Sequence, residues 1–444
     1  MITTICLPLF SGRFESSIAA HTAAEIGALA VRHGFLPWDT AFPEVAARGG
    51  FDVVLGNPPF LNQLERDTVA PRAAAALLRA RFGDTLRAYT DTAALLLLQG
   101  ARLLRPGGRL GMVAPQSVLV AQDARAVRDA LTALAPLTHV WWAGAHVFAG
   151  ASVFVTGLAL RRPDSARPAE PVVIRRAHGP RFDTLPNADS ALLHAETWTP
   201  LVADALGAPA LALRPAGRLG EIARATADFR DEYYGLLPFV VDRRDADEAR
   251  FPRLLLTGHI DPATSTWGER PVRFGRRAWA NPRVDLSALD AEGSLAAWAA
   301  ARRTPKILVA TQTRTIEAVA DPAGQWLTTT PTISVFPADG AFWRVAAVLL
   351  GPVGAAWALA NYGAAALAVG AIKLSAGQLE KLPLPAESTA WDEAAAGVAA
   401  AHAAADPAAR RALLVEAAGL SVRAYGQDAG LVAWWRDRLP PAAR

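Results

Sequence analysis

The stretch FDVVLGNPPF, Phe51 to Phe60, predicts a short buried strand that ends in a stiff turn. Its first half is almost entirely apolar, and Gly56 ends it. Pro58 and Pro59 have no N–H to donate, so they cannot continue a central strand, and Pro58 disfavours the helical conformation at Asn57. We therefore expect an extended tip at the carboxyl end of a strand, where open α/β sheets bind their ligands.

The tip carries two hydrogen-bond acceptors next to each other, the side-chain oxygen of Asn57 and the carbonyl oxygen of Pro58. An amino group on an aromatic ring has two hydrogens to donate and a delocalised lone pair. Two acceptors can bind those hydrogens and stabilise the positive charge that develops as the nitrogen attacks a methyl group. Phe60 can offer its ring face to the same planar group. The alternative interpretation is a Pro-Pro loop with only a structural role. Four residues alone do not decide between a catalytic and a structural turn.

The residues that follow alternate between helical and strand patterns. Helices are predicted over Tyr89 to Leu104, stopped by Pro106-Gly107-Gly108, and over Ala121 to Leu134. Strands are predicted over Arg109 to Val113, Thr138 to Trp142 and Ser152 to Leu160, with the loop Ala114-Pro115-Gln116-Ser117 after the first. The alternation predicts a doubly wound, Rossmann-like α/β sheet.

The NPPF motif and this order of elements resemble the catalytic half of the gamma-class adenine-N6 DNA methyltransferases of restriction–modification systems. The resemblance implies S-adenosylmethionine as cofactor, double-stranded DNA as substrate and a target adenine that is flipped out of the duplex. It implies that Asn57, Pro58, Pro59 and Phe60 are catalytic residues, with N6 held by Asn57 and Pro58. Phe148, in Ala145-His146-Val147-Phe148, matches the family aromatic that stacks on the flipped base opposite Phe60. Taken alone, Phe148 is better explained as a core residue; paired with NPPF in this order, the stacking role is favoured.

Composition is compatible with these expectations. The 444 residues carry a net charge of +4, and arginine, which suits phosphate and base recognition, supplies nearly all of the positive charge. Cys6 is the only cysteine, which excludes disulfides within the chain and a thiolate metal site, and it argues against cytosine-C5 methylation. The N-terminus lacks the features of a signal peptide, and the apolar stretch Val353 to Leu374 is interrupted by glycines and Asn361. We expect a cytoplasmic protein without a membrane span or a metal site.

Three domains are predicted: a catalytic half over residues 1–200, a mixed α+β target-recognition domain over 201–385 and a helical segment over 386–444. The middle region resembles the recognition domain of the same family, whose loops enter the major groove. Arginine and glutamine can bind guanine and adenine edges through two hydrogen bonds each. The candidate DNA-binding residues are Arg270, Arg273, Arg276, Arg277, Gln312 and Arg314, and for any single one a solvated surface role is the simpler explanation.

The resemblance does not extend to the part of the family that precedes NPPF. Complete members have, before NPPF, a strand ending in a glycine-rich turn for the cofactor, followed by an acid that binds the ribose. Residues 1–50 contain neither feature, so no cofactor-binding residue is assigned and only part of the sheet is expected. Three explanations stay open: a truncated gene, a split enzyme whose separate N-terminal polypeptide supplies the cofactor half, or a wrongly chosen start. A separate restriction subunit is a further expected partner.

Two other functions are compatible with the same residues. One is a different amino-methyltransferase, acting on cytosine N4, on glutamine amides or on ribosomal RNA; the long region after the catalytic half argues against the last two. The other is a non-catalytic DNA-binding specificity subunit or a remnant, which the missing cofactor motif favours.

Overall fold

The computed structural model describes residues 41–58, 78–87, 89–148, 153–164, 166, 172–227, 234–289, 294–366 and 368–441. The chain divides into two compact units, Met1–Leu206 and Gly207–Arg444, and each is described separately below.

The first unit is built on a six-stranded sheet. Its strands are β1 (Phe51–Gly56), β2 (Leu104–Pro115), β3 (Leu137–Trp142), β4 (Val155–Arg161), β5 (Val173–His178) and β6 (Asp183–Asp189). The helices of this unit with described bounds are α1 (Pro43–Ala47), α2 (Thr92–Arg102) and α3 (Arg125–Leu134).

The strand order is β1-β2-β4-β3-β5-β6. β1 is parallel to β2, and β3 is parallel to β5, whereas β4 is antiparallel to both of its neighbours. β1, β2, β3 and β5 therefore run in one direction, so their carboxyl ends lie along the same edge of the sheet. The predicted α/β class is confirmed, with a mixed sheet that contains parallel pairs.

The two faces of this sheet differ in burial, residue by residue. Val54, Leu110, Val140, Leu158 and Ile174 point to one face and are all buried. Helix α2 lies against that face, since a Cβ at Gly100 would meet Leu110 Cδ1 at 2.6 Å, and α3 packs beside α2. The alternate positions form the opposite surface, which we call the open face: Val53, Leu55, Arg109, Gly111, Val113, His139, Trp141, Gly157, Ala159, Arg161, Val173, Arg175 and Ala177.

Two details differ from the sequence-based expectation. The doubly wound pattern predicts helices on both faces, whereas the helices α2 and α3 that the structure describes share one face. Pro106-Gly107-Gly108 is not a helix stop, because α2 has already ended at Arg102 and these residues form an irregularity inside β2. Gly107 has a φ of +80°, and a Cβ at Gly108 would lie 2.7 Å from the carbonyl oxygen of Phe51. The glycines therefore let β2 bulge against β1.

The second unit combines short strands with a helical end. A four-stranded antiparallel sheet has the order Ala318–Asp321, Lys306–Val309, Ile333–Pro337, Ala223–Ala227. Two-stranded pieces join Val240–Asp242 to Pro282–Val284, Leu254–Leu255 to Leu327–Thr328, Ile260–Asp261 to Thr264–Ser265, Val272–Phe274 to Arg277–Trp279, and Gly217–Arg218 to Pro383–Leu384. The helices are Leu286–Leu289, Ser294–Arg302, Phe342–Leu349, Pro352–Tyr362, Ala376–Leu379, Thr389–Ala403, Pro407–Ala424 and Gly430–Arg436.

No single helix in the described ranges is both long and apolar enough to span a membrane. One bent pair, Phe342–Leu349 with Pro352–Ala365 at 55°, passes that test only when the two are joined, and most of both helices is buried.

Candidate functional site

Asn57 and Pro58 leave the sheet directly after β1, at the edge where the parallel strands end. The Asn57 side chain is exposed, so its amide group faces solvent, and Pro58 is buried. Pro59 and Phe60, the other two predicted catalytic residues, lie outside the described residues. The structure therefore places two adjacent acceptors at the strand end where the sequence predicts them.

Gln116 lies at the same sheet edge, immediately after β2, and is buried. Its side-chain oxygen accepts a hydrogen bond from Trp142 Nε1 at 3.1 Å, and its backbone N–H donates to the carbonyl oxygen of Phe154 at 2.9 Å. These bonds connect the ends of β2 and β3 to the start of β4. Gln116 was not among the predicted site residues; its position in a Pro-Gln-Ser loop at a strand end was the signal that could have indicated it.

Phe148 follows β3 on the loop that leads toward β4, and it is half-buried. His146, two residues earlier, stacks on Phe154 with ring centroids 4.4 Å apart and an angle of 22° between the planes. The stack joins the Phe148 loop to the residue that precedes β4. The fold thus brings Phe148 to the same edge as Asn57, because β1 and β3 run in the same direction.

The acid nearest to the motif is engaged elsewhere. Asp52 lies on β1, where its carboxylate accepts a hydrogen bond from Arg105 Nε at 2.6 Å and lies 3.6 Å from Arg48. The hydrogen bond from Arg105 lowers the pKa of Asp52 below its ordinary value. A carboxylate held in this way is a poor proton acceptor, so Asp52 is not assigned as a general base.

The described strand ends do not provide a complete site for S-adenosylmethionine. Such a site needs a glycine-rich turn leading into a helix and an acid for the ribose. The carboxyl ends of β1, β2 and β3 instead present Asn57, Gln116 and the Ala143–Phe148 loop. Asn57 can accept hydrogen bonds from an amino group, and the Ala143–Phe148 loop can contact a planar ring. No residue is assigned to the cofactor.

A groove of about 900 Å³ begins at Asn57 and runs across the open face. Its floor includes Gly111 and Gly157, and Trp141 and Phe182 line its far part. The groove could not be predicted from the sequence, because it depends on which face of each strand lacks a covering helix.

In the second unit, all four arginines predicted to bind DNA between residues 270 and 277 are exposed. Arg273 and Arg277 lie on the hairpin Val272–Phe274 and Arg277–Trp279, whose turn residues Gly275 and Arg276 both have positive φ, +57° and +67°. Such two-residue turns match the twist of the strands they connect. Arg270 forms an ion pair with Asp261 at 3.3 Å.

Gln312 and Arg314 lie on a different element, the loop between strands Lys306–Val309 and Ala318–Asp321. Both are exposed, and Gln312 has a φ of +70°, uncommon for a residue with a side chain. Thr313 pairs with Ile372 through two backbone hydrogen bonds, which hold the loop. Arg438 donates from Nε to the Arg314 carbonyl oxygen at 2.9 Å and adds a cation beside this loop. Arg438 was not predicted from the sequence, since it follows Arg314 by 124 residues.

Part of the chain resembles a known protein family. Residues 14–142 match the family model of the Eco57I restriction-modification methylase. That segment contains NPPF, β1 to β3 and the two helices between them. Over it the chain resembles restriction–modification methylases, which supports an S-adenosylmethionine-dependent methyltransferase as the class of enzyme. No curated protein matches the sequence.

One solved structure extends the likeness of fold along the chain, and two others are reported with it. The Type IIL restriction-modification enzyme MmeI, solved in complex with DNA, superposes with a TM-score of 0.56 at 12% identity, covering 89% of this chain and 57% of that one. The type IIG restriction endonuclease BpuSI gives a TM-score of 0.34 at 12% identity, covering 88% and 55%. A nuclease-deletion mutant of the Type ISP enzyme LlaGI gives 0.44 at 10% identity, covering 82% and 42%. The chain therefore spans little more than half the length of the first two.

Proposed function

We propose that this chain is the catalytic and DNA-recognition part of an adenine-N6 DNA methyltransferase that belongs to a restriction–modification or phage-defence system. The observation that carries the proposal is the placement of Asn57 and Pro58 after β1, at the same sheet edge as the Phe148 loop after β3. The match of residues 14–142 to a restriction–modification methylase supports it.

The chemistry assigned to the site uses this chain's own residues. The Asn57 side-chain oxygen and the Pro58 carbonyl accept the two hydrogens of the adenine amino group, and this orients the nitrogen for attack. They also stabilise the positive charge on N6 as its bond to the methyl group forms. S-adenosylmethionine, when bound, supplies that methyl group. Phe148 and Phe60 stack on the two faces of the flipped base, and the surplus N6 proton leaves to solvent.

The second unit is proposed to recognise the DNA sequence. The arginines of the 272–279 hairpin would contact phosphates and guanine edges, and Gln312 would contact a base edge, with Arg314 and Arg438 beside it. MmeI, whose fold is shared along 89% of this chain, was solved in complex with DNA. On the basis of this shared fold, we propose DNA as the substrate of this chain as well.

The test is the identity of the methylated nucleoside. The chain would be expressed together with its flanking genes in a host that lacks adenine methylation, and the genomic DNA hydrolysed and measured by mass spectrometry. We expect N6-methyladenine. N4-methylcytosine would contradict the choice of adenine, and sequence-specific DNA binding without any methylated nucleoside would favour a non-catalytic specificity subunit.

A further inference from the structure

A turn that directly precedes α2 presents an arginine and a tyrosine to solvent. Arg87 and Tyr89 are both exposed, and Tyr89 is 64% exposed. The turn is followed at once by Asp91, the N-terminal cap of α2. Neither exposed side chain is used by the chemistry assigned to Asn57 and the Phe148 loop.

The position of this turn follows from the path of the chain. The N–H of Phe51, at the start of β1, donates to the carbonyl oxygen of Leu103, directly after α2, at 2.8 Å. The end of α2 therefore lies at the edge where the parallel strands begin. The 11 residues of α2 rise by roughly 16 Å, about the length of a five-residue strand, so its start lies at the opposite edge. That opposite edge is the one that carries Asn57.

Four hydrogen bonds hold the backbone of the turn. The Thr90 N–H donates to the Arg87 carbonyl oxygen at 3.2 Å, and the Arg87 N–H donates to Thr90 Oγ1 at 2.8 Å. Asp123, in the segment that follows β2, accepts from the Tyr89 N–H through its carboxylate at 3.0 Å. Its carbonyl oxygen accepts from Thr90 Oγ1, also at 3.0 Å, and Thr90 is fully buried. The two exposed side chains therefore start from a backbone that is tied to the chain leaving β2.

The charged groups near the turn leave the Arg87 guanidinium available to a ligand. Arg87 forms no ion pair with another residue in the part of the chain that the structure describes. Asp123 is engaged with the turn backbone, and Asp129 lies 3.7 Å from Arg125 at the start of α3. Asp84 is an exposed acid three residues before Arg87. An arginine in this setting can form charge-assisted hydrogen bonds to a phosphate.

We propose that this turn contacts the DNA beside the flipped adenine: Arg87 neutralises a phosphate, and the ring of Tyr89 stacks in the gap that the adenine leaves. The inference rests on the proposed function, because entry of the adenine at Asn57 brings the duplex to this edge. Extrusion of a base removes a stacking partner from its neighbours. An aromatic side chain can replace that partner whatever the sequence, since every base has a π face.

Simpler explanations account for only part of the turn. A single exposed aromatic residue is common on protein surfaces, but it does not require a backbone held by Asp123. A turn that served only to begin α2 would need the Asp91 cap, whose carboxylate accepts from the Ala93 N–H at 2.7 Å, and would not need Arg87 and Tyr89. A protein partner would also suit an exposed arginine and tyrosine, and the test distinguishes it from DNA.

The test compares the binding of the full chain to two short DNA duplexes of the same sequence. One duplex is intact, and the other has a single abasic site, which leaves a gap in the base stack. The variants are Arg87→Ala, Tyr89→Ala and Tyr89→Phe. Tyr234→Ala, at a residue 60% exposed in the second unit, and Arg423→Ala, at an exposed arginine, are the matched controls. Fluorescence anisotropy at several salt concentrations measures binding, and circular dichroism verifies that each variant is folded.

We expect the original chain to bind the abasic duplex about tenfold more tightly than the intact one, because the ring of Tyr89 occupies the gap. Tyr89→Ala should abolish that preference, whereas Tyr89→Phe, which keeps the ring, should retain it. Arg87→Ala should weaken binding to both duplexes alike and reduce the slope of log K against log salt by about one. Both controls should keep the preference of the original chain.

A preference for the abasic duplex that is absent from the original chain, or that survives in Tyr89→Ala, would overturn the stacking role. An equal loss in Tyr89→Phe and Tyr89→Ala would assign the effect to the hydroxyl group and would overturn it too. Unchanged binding in all variants would reject DNA in favour of a protein partner, and a chain that binds neither duplex would also reject the inference.

This titration contains no methyl donor, so its outcome is separate from that of the nucleoside measurement. N6-methyladenine in the cells, together with binding that does not depend on Tyr89, would reject this inference alone. A Tyr89-dependent preference for the abasic duplex without any methylated nucleoside would reject the catalytic proposal and support the DNA contact.

Discussion

Two ionisable side chains in the second unit, the half-buried Glu317 and the buried His259, have opposite effects on stability. Burial is the main cause of a rise in the pKa of Glu317 to about 7, and the nearby carboxylate of Asp261 raises it further, against Arg270. Burial lowers the pKa of His259 to about 4. The fold thus favours the neutral form of each residue.

The consequences for stability follow from proton linkage. The folded state binds the Glu317 proton more tightly than the unfolded state, so the stability from its neutral form is lost as the pH rises from about 4.5 to about 7. The stability from neutral His259 changes in the other direction and is lost as the pH falls from about 6.5 to about 4. Between pH 4.5 and 6.5 the two contributions oppose each other.

We predict that Glu317→Gln raises the free energy of unfolding at pH 8 by about 2 kcal/mol and changes it little at pH 4. The figure of about 2 kcal/mol is smaller than the full pKa shift would give, because the side chain is partly accessible to solvent. Urea unfolding between pH 4 and 8 measures it. The variant should retain the loss of stability on acidification that His259 causes. Glu416→Gln, at an exposed helix position, is the control, and an equal effect in both variants would contradict the assignment.

Helix α2 shows how a glycine can be required by packing. A Cβ at Gly100 would lie 2.6 Å from Leu110 Cδ1 and 3.5 Å from Met112 Cε, so α2 and the sheet meet closely at this point. Gly419, inside the helix Pro407–Ala424, has nothing within 4 Å of the same position.

We predict that Gly100→Ala destabilises the protein by about 1–3 kcal/mol through overpacking. Gly419→Ala should stabilise it by up to about 1 kcal/mol, because alanine favours helix and no neighbour is displaced. Thermal or chemical unfolding of the two variants measures both values. Equal effects of the two substitutions would show that α2 is not pressed against Leu110.

The 272–279 hairpin presents the arginines expected to contact DNA. For Arg273→Ala or Arg277→Ala we predict weaker binding to DNA of any sequence, with the slope of log K against log salt reduced by about one for each phosphate that the variant no longer neutralises. Arg423→Ala, on the helix Pro407–Ala424, is the control. Fluorescence anisotropy at several salt concentrations measures the slope, and an unchanged slope would remove the hairpin from the DNA interface.

For the whole molecule, the sequence predicted what depends on local pattern. The apolar run at Phe51–Leu55, its Pro-Pro ending and the alternation of helices and strands were enough for the α/β class and for the position of Asn57. Strands β1 and β3 and helix α2 lie within a few residues of their predicted bounds. These features are set by periodicity and by proline geometry, which can be read from one segment at a time.

Other features depend on register and long-range contacts. Pro106-Gly107-Gly108 has the composition of a helix stop, and only its pairing with β1 identifies it as a bulge. The open face became evident only from which strand positions the helices leave uncovered. The contact of Arg438 with the 311–315 loop joins residues far apart in sequence. The two-residue strands of the second unit are likewise too short for a pattern to predict.

The substitution of Asn57 tests the central claim most directly. In cells that express the chain with its flanking genes, Asn57→Ala should reduce N6-methyladenine by about 100-fold or more, because one of the two acceptors for the amino group is removed. DNA affinity should stay within about twofold, since Asn57 is assigned to the reacting amino group and not to the duplex. Asn57→Asp, which keeps an acceptor oxygen, should retain more activity than the alanine variant. Full methylation by Asn57→Ala would contradict the catalytic assignment of this strand end.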